Sequence, residues 1–351
     1  MKSDSHIVAI AVILIAMMLI GEIVVYTSGT DSFNADATIT DDSDGIGYSV
    51  SSSGSNTYSV LITDNDSFKS IDTLYIYYDS TYESNYQPVT VAVGAKALTQ
   101  EYYIEQLIKT VEYRGLSNVI TVDADELEDL MKQDTSSSGQ AVVVISGALP
   151  DTVYTGVSSN CIFNWMSNGG TLYWLGSLLG SCYATTNEII TVTNDYQTLF
   201  FGGNCLNTTD TSDAYSEITD NEYGDLLSLT YNNVKYAVNM TAMKTLTDDC
   251  LFVGFTEDGY ASIAFVKYGS GMICVLGGDY SNKQISDLAQ IITSQLCYDS
   301  KLIESYSGSV TSSTSTGTIL ANIATDHNTV VYIYLGGYFP VYGEAFIFSA
   351  A

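Results

Sequence analysis

The longest apolar run of the chain lies near its amino end, at residues 7–26, and reads IVAIAVILIAMMLIGEIVVY, broken only by Glu22. A helix of about 20 residues spans about 30 Å, the thickness of the hydrocarbon core of a bilayer. The run therefore predicts a transmembrane helix. A retained signal-anchor and a cleaved signal peptide both fit this pattern, and the lack of a small-x-small pair at its end favours the anchor.

The basic residues around this run predict its orientation. Lys2 precedes the run, whereas the next basic residue is Lys69. Because positive charge stays on the cytoplasmic side, we expect residues 1–6 in the cytoplasm and the body of a single-pass protein outside the cell membrane. Residues 27–45 are polar, acidic and poor in large apolar groups, which predicts a stalk between the membrane and the body.

Both ends of the body show the alternation of β-strands. In residues 46–69 apolar and polar side chains alternate around the turn sequence SSSGSN, and residues 301–351 contain β-branched and aromatic runs separated by Gly and Asn. This pattern is typical of hairpins. Since neither end contains enough strands to bury a core alone, we expect the two ends to form one discontinuous β-sandwich-like domain.

Residues 70–300 follow a different pattern, in which short apolar runs alternate with helical stripes. One stripe, within Ile104–Val111, has the i, i+3, i+4, i+7 spacing of a helix that starts near Thr99. Alternating helices and uniformly apolar strands predict an α/β three-layer core with a mostly parallel sheet. The predicted strands are Thr73–Asp79, Asn118–Asp123, Ala141–Ser146, Thr171–Gly176 and Gly271–Gly278, with antiparallel strands inserted between about residues 187 and 267.

The excess of acidic over basic residues excludes some classes of binding partner. The 351 residues include 40 acidic and 11 basic side chains, a formal net charge of −29, and Arg114 is the single arginine. No nucleic acid is expected as a partner, because phosphate binding needs clustered Lys and Arg. The two histidines, His6 and His327, lie outside the predicted α/β core, so we expect neither a metal nor a cofactor.

The six cysteines form an even set in a body predicted to be extracellular, which allows up to three disulfides. No C-x-x-C spacing occurs, so a zinc or thioredoxin-type site is not expected. Three N-x-S/T triplets fit an exported glycoprotein. The disulfide candidates are Cys161, Cys182, Cys205, Cys250, Cys274 and Cys297, and the glycosylation candidates are Asn65, Asn207 and Asn239.

Three phrases in this order, AVVVISGALPDTVY, IFNWMSNGGTLYWLGS and YGSGMICVLGG, resemble the class I glutamine amidotransferase-like superfamily. They are most similar to its extracellular, noncatalytic branch. The resemblance covers residues 70–300 and implies a Rossmann-like α/β fold for them. Because a fold does not determine chemistry, the activity has to be argued from the residues of the site.

Catalytic members of that superfamily place a nucleophilic Cys between glycines on a sharp strand-to-helix turn, and a His activates it. Aligning Gly176 and Gly180 with this turn puts Leu178 at the nucleophile position, and leucine cannot attack a carbonyl. After GMICVLGG, where the resemblance implies the His, the chain reads DYSN. The resemblance therefore implies a pseudoenzyme. Cys182 fits a displaced nucleophile or a disulfide partner, and an oxidising compartment favours the second.

Tyrosines follow the first predicted core strand, at Tyr77, Tyr78, Tyr82 and Tyr86. They are expected at the carboxyl edge of the sheet, where α/β folds bind ligands. We expect a membrane-anchored surface protein whose inactive domain binds surface proteins or glycans, or assembles with them. The alternative is an extracellular hydrolase with catalytic groups near Ser177. The candidate ligand crevice consists of Gly176, Ser177, Leu178, Gly180, Tyr78 and Tyr82.

Overall fold

The structure is a computed structural model of the chain. It describes residues 46–52, 57–64, 71–86, 99–114, 116–133, 136–176, 178–208, 227, 229, 236–255, 259–277, 282–294, 296–309, 329–335 and 342–348. The strands are β1 (Ile46–Ser52), β2 (Thr57–Asp64), β3 (Thr73–Tyr77), β4 (Val119–Val122), β5 (Gln140–Val144), β6 (Leu149–Pro150), β7 (Thr171–Leu175), β8 (Cys182–Ala184), β9 (Ile189–Thr191), β10 (Leu206–Thr208), β11 (Tyr236–Asn239), β12 (Cys250–Phe255), β13 (Tyr260–Tyr268), β14 (Gly271–Leu276), β15 (Lys301–Ser309), β16 (Thr329–Leu335) and β17 (Tyr342–Phe348). The helices are α1 (Gln100–Tyr113), α2 (Ala124–Met131), α3 (Cys161–Ser167), α4 (Tyr196–Phe201), α5 (Met240–Leu246) and α6 (Asn282–Ser294).

The described residues form two compact units. The larger unit contains β3–β14 and the six helices, and it is an α/β domain built on one mixed sheet with the strand order β10-β11-β13-β14-β7-β5-β3-β4. Five strands, β4, β3, β5, β7 and β14, run parallel, and β13 begins an antiparallel extension. The mostly parallel α/β sheet predicted from the sequence is confirmed, with a strand at each of the five predicted core positions.

The parallel strands reveal a reversal that the sequence pattern does not predict. The chain first moves outward from β3 to β4, then crosses back over β3 to β5 and continues to β7 and β14. Because crossovers between parallel strands are right-handed, this reversal places α1 and α2 on opposite faces of the sheet. Accordingly, α1 contacts α6, and α2 contacts α3. Doubly wound sheets bind ligands at the carboxyl ends of the two strands where the order reverses, here β3 and β5.

The central strands are buried on both faces, as their uniformly apolar sequences require. Every residue of β7 and β14 is buried. Tyr77 and Trp174 pack into one core with residues of α2 and α3. Side chains alternate along a strand, so Tyr173 and its neighbour in register, Cys274, point to the opposite face, the side of α1 and α6.

Helices α1 and α2 start at side-chain caps that fix their first turns. Thr99 caps α1 by accepting a hydrogen bond from the backbone N–H of Tyr102 at 3.2 Å. Asp123 caps α2 by accepting from the N–H of Glu126 at 2.9 Å, and the Glu126 carboxylate accepts from the N–H of Asp123 at 3.1 Å. These caps satisfy backbone donors that a helix leaves free, and the start predicted near Thr99 is confirmed.

The smaller unit contains strands from both ends of the chain. Strand β2 pairs antiparallel with β1 on one side and with β15 on the other. Strands β16 and β17 form an antiparallel hairpin, and β16 lies beside β1. Strands from both ends of the chain therefore contribute to one β unit.

The predicted transmembrane run at residues 7–26 and the predicted stalk at 27–45 lie outside the described residues. Among the helices that the structure does describe, none is long and apolar enough to cross a bilayer. The anchor and the stalk remain predictions from the sequence.

Candidate functional site

Asp79 lies just beyond the carboxyl end of β3 and links it to α2. One carboxylate oxygen accepts a hydrogen bond from the backbone N–H of Thr81 at 2.8 Å, and the other accepts from the N–H of Ala124 at 3.2 Å. Partial burial favours the neutral carboxyl, but the hydrogen bond that the Thr81 hydroxyl donates at 2.6 Å and the two backbone bonds outweigh it and hold the pKa of Asp79 below its ordinary value. Asp79 is therefore ionised and fixes the loop after β3 to the start of α2.

Tyr82, in the same loop, is half-buried and donates its hydroxyl hydrogen to Asp151 at 3.1 Å. Burial, this hydrogen bond and the charges of Asp151, Asp125 and Asp79 raise the pKa of Tyr82 to about 12. Tyr78, directly after β3, is also half-buried. The two tyrosines of the predicted crevice thus lie at the carboxyl edge, beside the strand reversal. We call the surface formed by residues 77–82, Asp123, Asp125 and Asp151 the tyrosine edge.

The glycine-rich turn Gly176–Gly180 follows β7 directly, and Ser177 within it lies outside the described residues. Gly180 has a φ of 79°, and its carbonyl oxygen accepts a hydrogen bond from the Tyr154 hydroxyl at 2.8 Å. A Cβ at this position would lie 2.5 Å from Cε2 of Phe200. Both the backbone conformation and the close packing therefore require glycine here.

The segment Ser146–Tyr154, which follows β5, connects the tyrosine edge with the glycine turn. Ser84 donates its hydroxyl hydrogen to the carbonyl oxygen of Ser146 at 3.1 Å, and the N–H of Asp151 donates to the carbonyl oxygen of Ala184 at 2.8 Å. The residues after β3 and those after the glycine turn are thus bound to the same central segment. The structure places both parts of the predicted crevice on one edge of the sheet.

Leu178 and Cys182 determine which nucleophile the turn could present. Leu178, at the aligned nucleophile position, is half-buried and packs against the core. Cys182 is buried, with its Sγ 3.5 Å from the carbonyl oxygen of Gly147 and 3.7 Å from Nδ2 of Asn85. Burial raises the pKa of the Cys182 thiol. Since neither neighbour is a base at neutral pH, this geometry keeps Cys182 as a protonated thiol.

All six cysteines are free thiols in the structure, so none of the disulfides that the sequence allows is formed. Cys274 lies in the central strand β14, and Cys161 is the first residue of α3. The Cys297 thiol donates to a carboxylate oxygen of Asp299 at 2.8 Å. Burial raises the pKa of each of these thiols, and they pack on separate elements as small apolar residues do.

Two of the three glycosylation candidates lie in secondary structure. Asn239 caps α5, and its side-chain oxygen accepts a hydrogen bond from the N–H of Ala242 at 2.9 Å. Asn207 lies in β10 opposite Ala237. Asn65 is outside the described residues. Glycosylation remains a prediction at all three positions.

Neither a metal site nor the cavity found elsewhere in the described residues competes with this edge. No group of three or more His, Cys, Asp or Glu side chains there could hold a metal ion. A cavity of about 180 Å³ lies at the opposite edge, near the amino end of β14, but its Lys267 already pairs with Asp249 at 3.0 Å. It is lined by Phe200, Phe201, Gly202, Thr247, Val266, Lys267, Tyr268 and Gly269. We therefore place the candidate site at the tyrosine edge.

The carboxylates of this edge and the residues that hold its loops were not predicted as site residues from the sequence. Asp79 is the first charged residue after β3, so its position after a buried strand could have identified it. Asp151 and Ser146 carry no comparable signal, because their proximity to the tyrosines depends on how the segment after β5 folds over the sheet.

No family model matches the sequence, and no curated protein matches it. Solved structures that match include an exo-β-1,4-mannosidase, Op5Man5, from Opitutaceae bacterium strain TAV5, at 12% identity and a TM-score of 0.34, covering 64% of this chain and 34% of that one. The cytoplasmic protein STM1381 from Salmonella typhimurium LT2 matches at 11% identity and a TM-score of 0.36, covering 63% and 96%. A β-galactosidase from Bacillus circulans sp. alkalophilus matches at 10% identity and a TM-score of 0.36, covering 65% and 31%. The chain thus spans about a third of the length of the mannosidase and of the galactosidase. These similarities carry no argument about its activity. The resemblance to the amidotransferase-like superfamily remains a prediction.

Proposed function

We propose that this chain is a membrane-anchored, extracellular protein whose amidotransferase-like domain binds a ligand or assembles at the cell surface without catalysis. The observation that carries the proposal is the glycine turn after β7. Its aligned nucleophile position is Leu178, and the cysteine beyond it is a buried, protonated thiol bonded to a backbone carbonyl. A turn with this composition supports a packing role, because covalent catalysis needs an activated nucleophile.

The placement of the protein rests on its sequence. The apolar run at residues 7–26 is long enough to span a bilayer, and the lysine pattern directs the body outward. The β unit built from both ends of the chain is proposed to be sandwich-like, with its first strands between the stalk and the α/β domain in sequence and its last strands after the α/β domain. Neighbouring surface proteins and glycans are the proposed partners.

Fractionation of the cells that make the full chain tests the anchor. The protein is expected in the membrane fraction after carbonate extraction, and external protease is expected to remove its body from intact cells. Ile15→Lys places a charge in the middle of the apolar run and should release the protein, whereas the matched control Ile15→Leu should not. Recovery of the unaltered chain as a soluble cytoplasmic protein would overturn the proposal.

Hydrolase assays test the absence of catalysis. The purified full chain is expected to turn over neither glutamine nor simple ester and glycoside substrates. The alternative function, a hydrolase that uses Ser177 or edge carboxylates, requires turnover that Ser177→Ala or Asp151→Asn abolishes. Turnover that Ser177→Ala or Asp151→Asn abolishes and that the matched control Ser181→Ala retains would replace the proposed function by the alternative.

A further inference from the structure

Asn239 lies where β11 ends and α5 begins, and three hydrogen bonds hold it in place. Its backbone N–H donates to the carbonyl oxygen of Cys205 at 2.8 Å, and the N–H of Met240 donates to the carbonyl oxygen of Gly259 at 3.1 Å. Its side-chain Oδ1 accepts from the N–H of Ala242 at 2.9 Å. These bonds fix both the backbone and the side-chain amide of Asn239.

The two polar atoms of this amide have different surroundings. Oδ1 caps α5, whereas Nδ2 makes no hydrogen bond to the described residues and is not one of the buried side-chain atoms that lack a partner. Asn239 is half-buried, and Nδ2 is the atom of its amide that is open to solvent. Because helix capping uses only the oxygen, the amide nitrogen of Asn239 is available for modification.

Asn239 is also the first residue of the triplet Asn-Met-Thr, which has the N-x-S/T pattern of an N-glycosylation acceptor. Thr241, the third residue of the triplet, is exposed, and so are Lys244 and Thr245 one turn further along α5. A bulky group on Nδ2 would therefore begin beside an exposed face of this helix.

The other two N-x-S/T triplets offer no comparable observation. Asn65 lies outside the described residues, and Asn207 pairs through its backbone with Ala237 in the middle of β10. Asn239 is the candidate at which the structure defines the atom that would react.

We propose that Asn239 carries an N-linked glycan in the mature protein, with its amide oxygen capping α5 and its amide nitrogen bonded to the first sugar. This rests on the extracellular placement proposed above, because such glycans occur on exported chains. The donor is an oligosaccharide linked through phosphate to a lipid. A bond forms between Nδ2 and the anomeric carbon of the first sugar, and Nδ2 loses one proton. The bond from that carbon to the phosphate oxygen breaks, and its electron pair leaves with the phosphate.

Mass spectrometry of a tryptic digest tests the proposal. Trypsin cuts after Lys235 and Lys244 and releases the peptide YAVNMTAMK, in which Asn239 is the single asparagine. In the full chain isolated from the membranes of the cells that make it, most copies of this peptide are expected to carry a sugar mass on Asn239. The full chain made in a host without N-glycosylation supplies the unmodified peptide as the reference.

Two variants of Thr241 separate the acceptor triplet from the fold. Thr241→Val removes the hydroxyl that the triplet requires and should abolish the modification. Thr241→Ser is the matched control, which keeps the triplet and should retain the glycan. Because Thr241 is exposed, both variants are expected to fold.

Two variants of Asn239 separate the role of the amide oxygen from that of the nitrogen. Asn239→Asp keeps an acceptor oxygen for the N–H of Ala242, whereas Asn239→Ala removes both polar atoms. Both variants should lose the glycan. Asn239→Asp should unfold at about the same urea concentration as the unglycosylated Thr241→Val, and Asn239→Ala should unfold at a lower one, because aspartate caps helices as well as asparagine does.

An unmodified peptide in chains taken from the cell surface would overturn the proposal, as would a glycan that Thr241→Val retains. Equal unfolding of Asn239→Asp and Asn239→Ala would overturn the capping role of the oxygen. The proposed function survives each of these results, since a surface protein can bind its partners without a glycan on Asn239. Recovery of the chain as a soluble cytoplasmic protein would overturn the function and the glycan together, so failure of the glycan alone is distinguishable.

Discussion

At the residue scale, Gly180 combines two requirements that can be measured separately. Its φ of 79° disfavours any side chain, and an added Cβ would also meet the Phe200 ring at 2.5 Å and the Tyr154 hydroxyl at 3.0 Å. Gly202, at the end of α4, has the same φ of 79° but has no atom within 4 Å of such a Cβ. The pair thus separates backbone strain from steric overlap.

We expect Gly202→Ala to lower the free energy of unfolding by about 1 kcal/mol through strain alone. Gly180→Ala should lower it by about 2–4 kcal/mol, because overpacking adds to the strain. Urea unfolding of both variants measures the difference. Equal losses would show that the residues around Gly180 move aside without cost.

Tyr82 is expected to make the free energy of unfolding fall as the pH becomes alkaline. Its pKa is 10.0 in the unfolded chain and about 12 in the fold, so the folded protein holds the phenol proton more tightly. Its contribution to stability is therefore complete below pH 10 and is lost as the pH rises from about 10 to about 12. Tyr82→Phe should reduce this loss, and Asp151→Asn should bring the pKa of Tyr82 back towards 10.

Phenolate absorbance near 295 nm and urea unfolding at several alkaline pH values check this expectation. Burial also raises the pKa of other tyrosines, Tyr86 and Tyr154. Tyr82→Phe should therefore reduce the loss of stability at alkaline pH without abolishing it. An unchanged pH profile in both variants would contradict the role assigned to the hydrogen bond between Tyr82 and Asp151.

At the element scale, the capping box of α2 fixes the edge of the candidate site. Asp123→Ala removes the side-chain acceptor for the N–H of Glu126 and should lower the free energy of unfolding by about 1 kcal/mol. Asp125→Ala, in the same first turn, removes the same charge but no part of the capping box. It should cost about 0.5 kcal/mol or less. Similar losses in the two variants would mean that charge, rather than the cap, stabilises the helix start.

The elements were predictable from the sequence because local rules determine them. Strands β5 and β7 are short apolar runs, and α1 and α2 begin at Thr99 and Asp123, which carry their caps in their own sequence. Strand order was not predictable, since no local pattern indicates that β5 pairs with β3 on the side away from β4. The tyrosines of the candidate site were predicted from their position after β3. The hydrogen bond between Tyr82 and Asp151 was not predictable, because it joins residues that are far apart in the chain.

At the scale of the whole molecule, charge repulsion opposes folding. The chain carries a net charge of −29, and the described ion pairs, such as Lys109–Glu105 and Lys132–Glu128, lie at the surface between neighbouring helix turns. Such pairs contribute little, and the remaining carboxylates repel one another. Salt should therefore stabilise the folded state, because it screens the repulsion between carboxylates.

Raising the concentration of NaCl from 10 to 200 mM is expected to raise the Tm by about 2–4 °C, as the screening length falls from about 30 Å to below 10 Å. KCl should give the same rise, because screening depends on ionic strength and not on the identity of the cation. Thermal unfolding followed by circular dichroism measures both. A Tm that stays constant or falls with salt would contradict self-repulsion as a main cost of folding.

The pairing of β2 with β15 has a consequence for how the chain is made. Asp64 pairs with Lys301, so β2 has one neighbour, β1, until β15 has left the ribosome. During that interval one side of β2 presents unsatisfied backbone groups, which readily join strands from other molecules. The α/β domain between them can fold first, and its completion shortens the search that brings β15 to β2. A chain that ends before Lys301 would keep this exposed side permanently, so premature termination should yield aggregates or exchanged strands rather than a merely shorter protein.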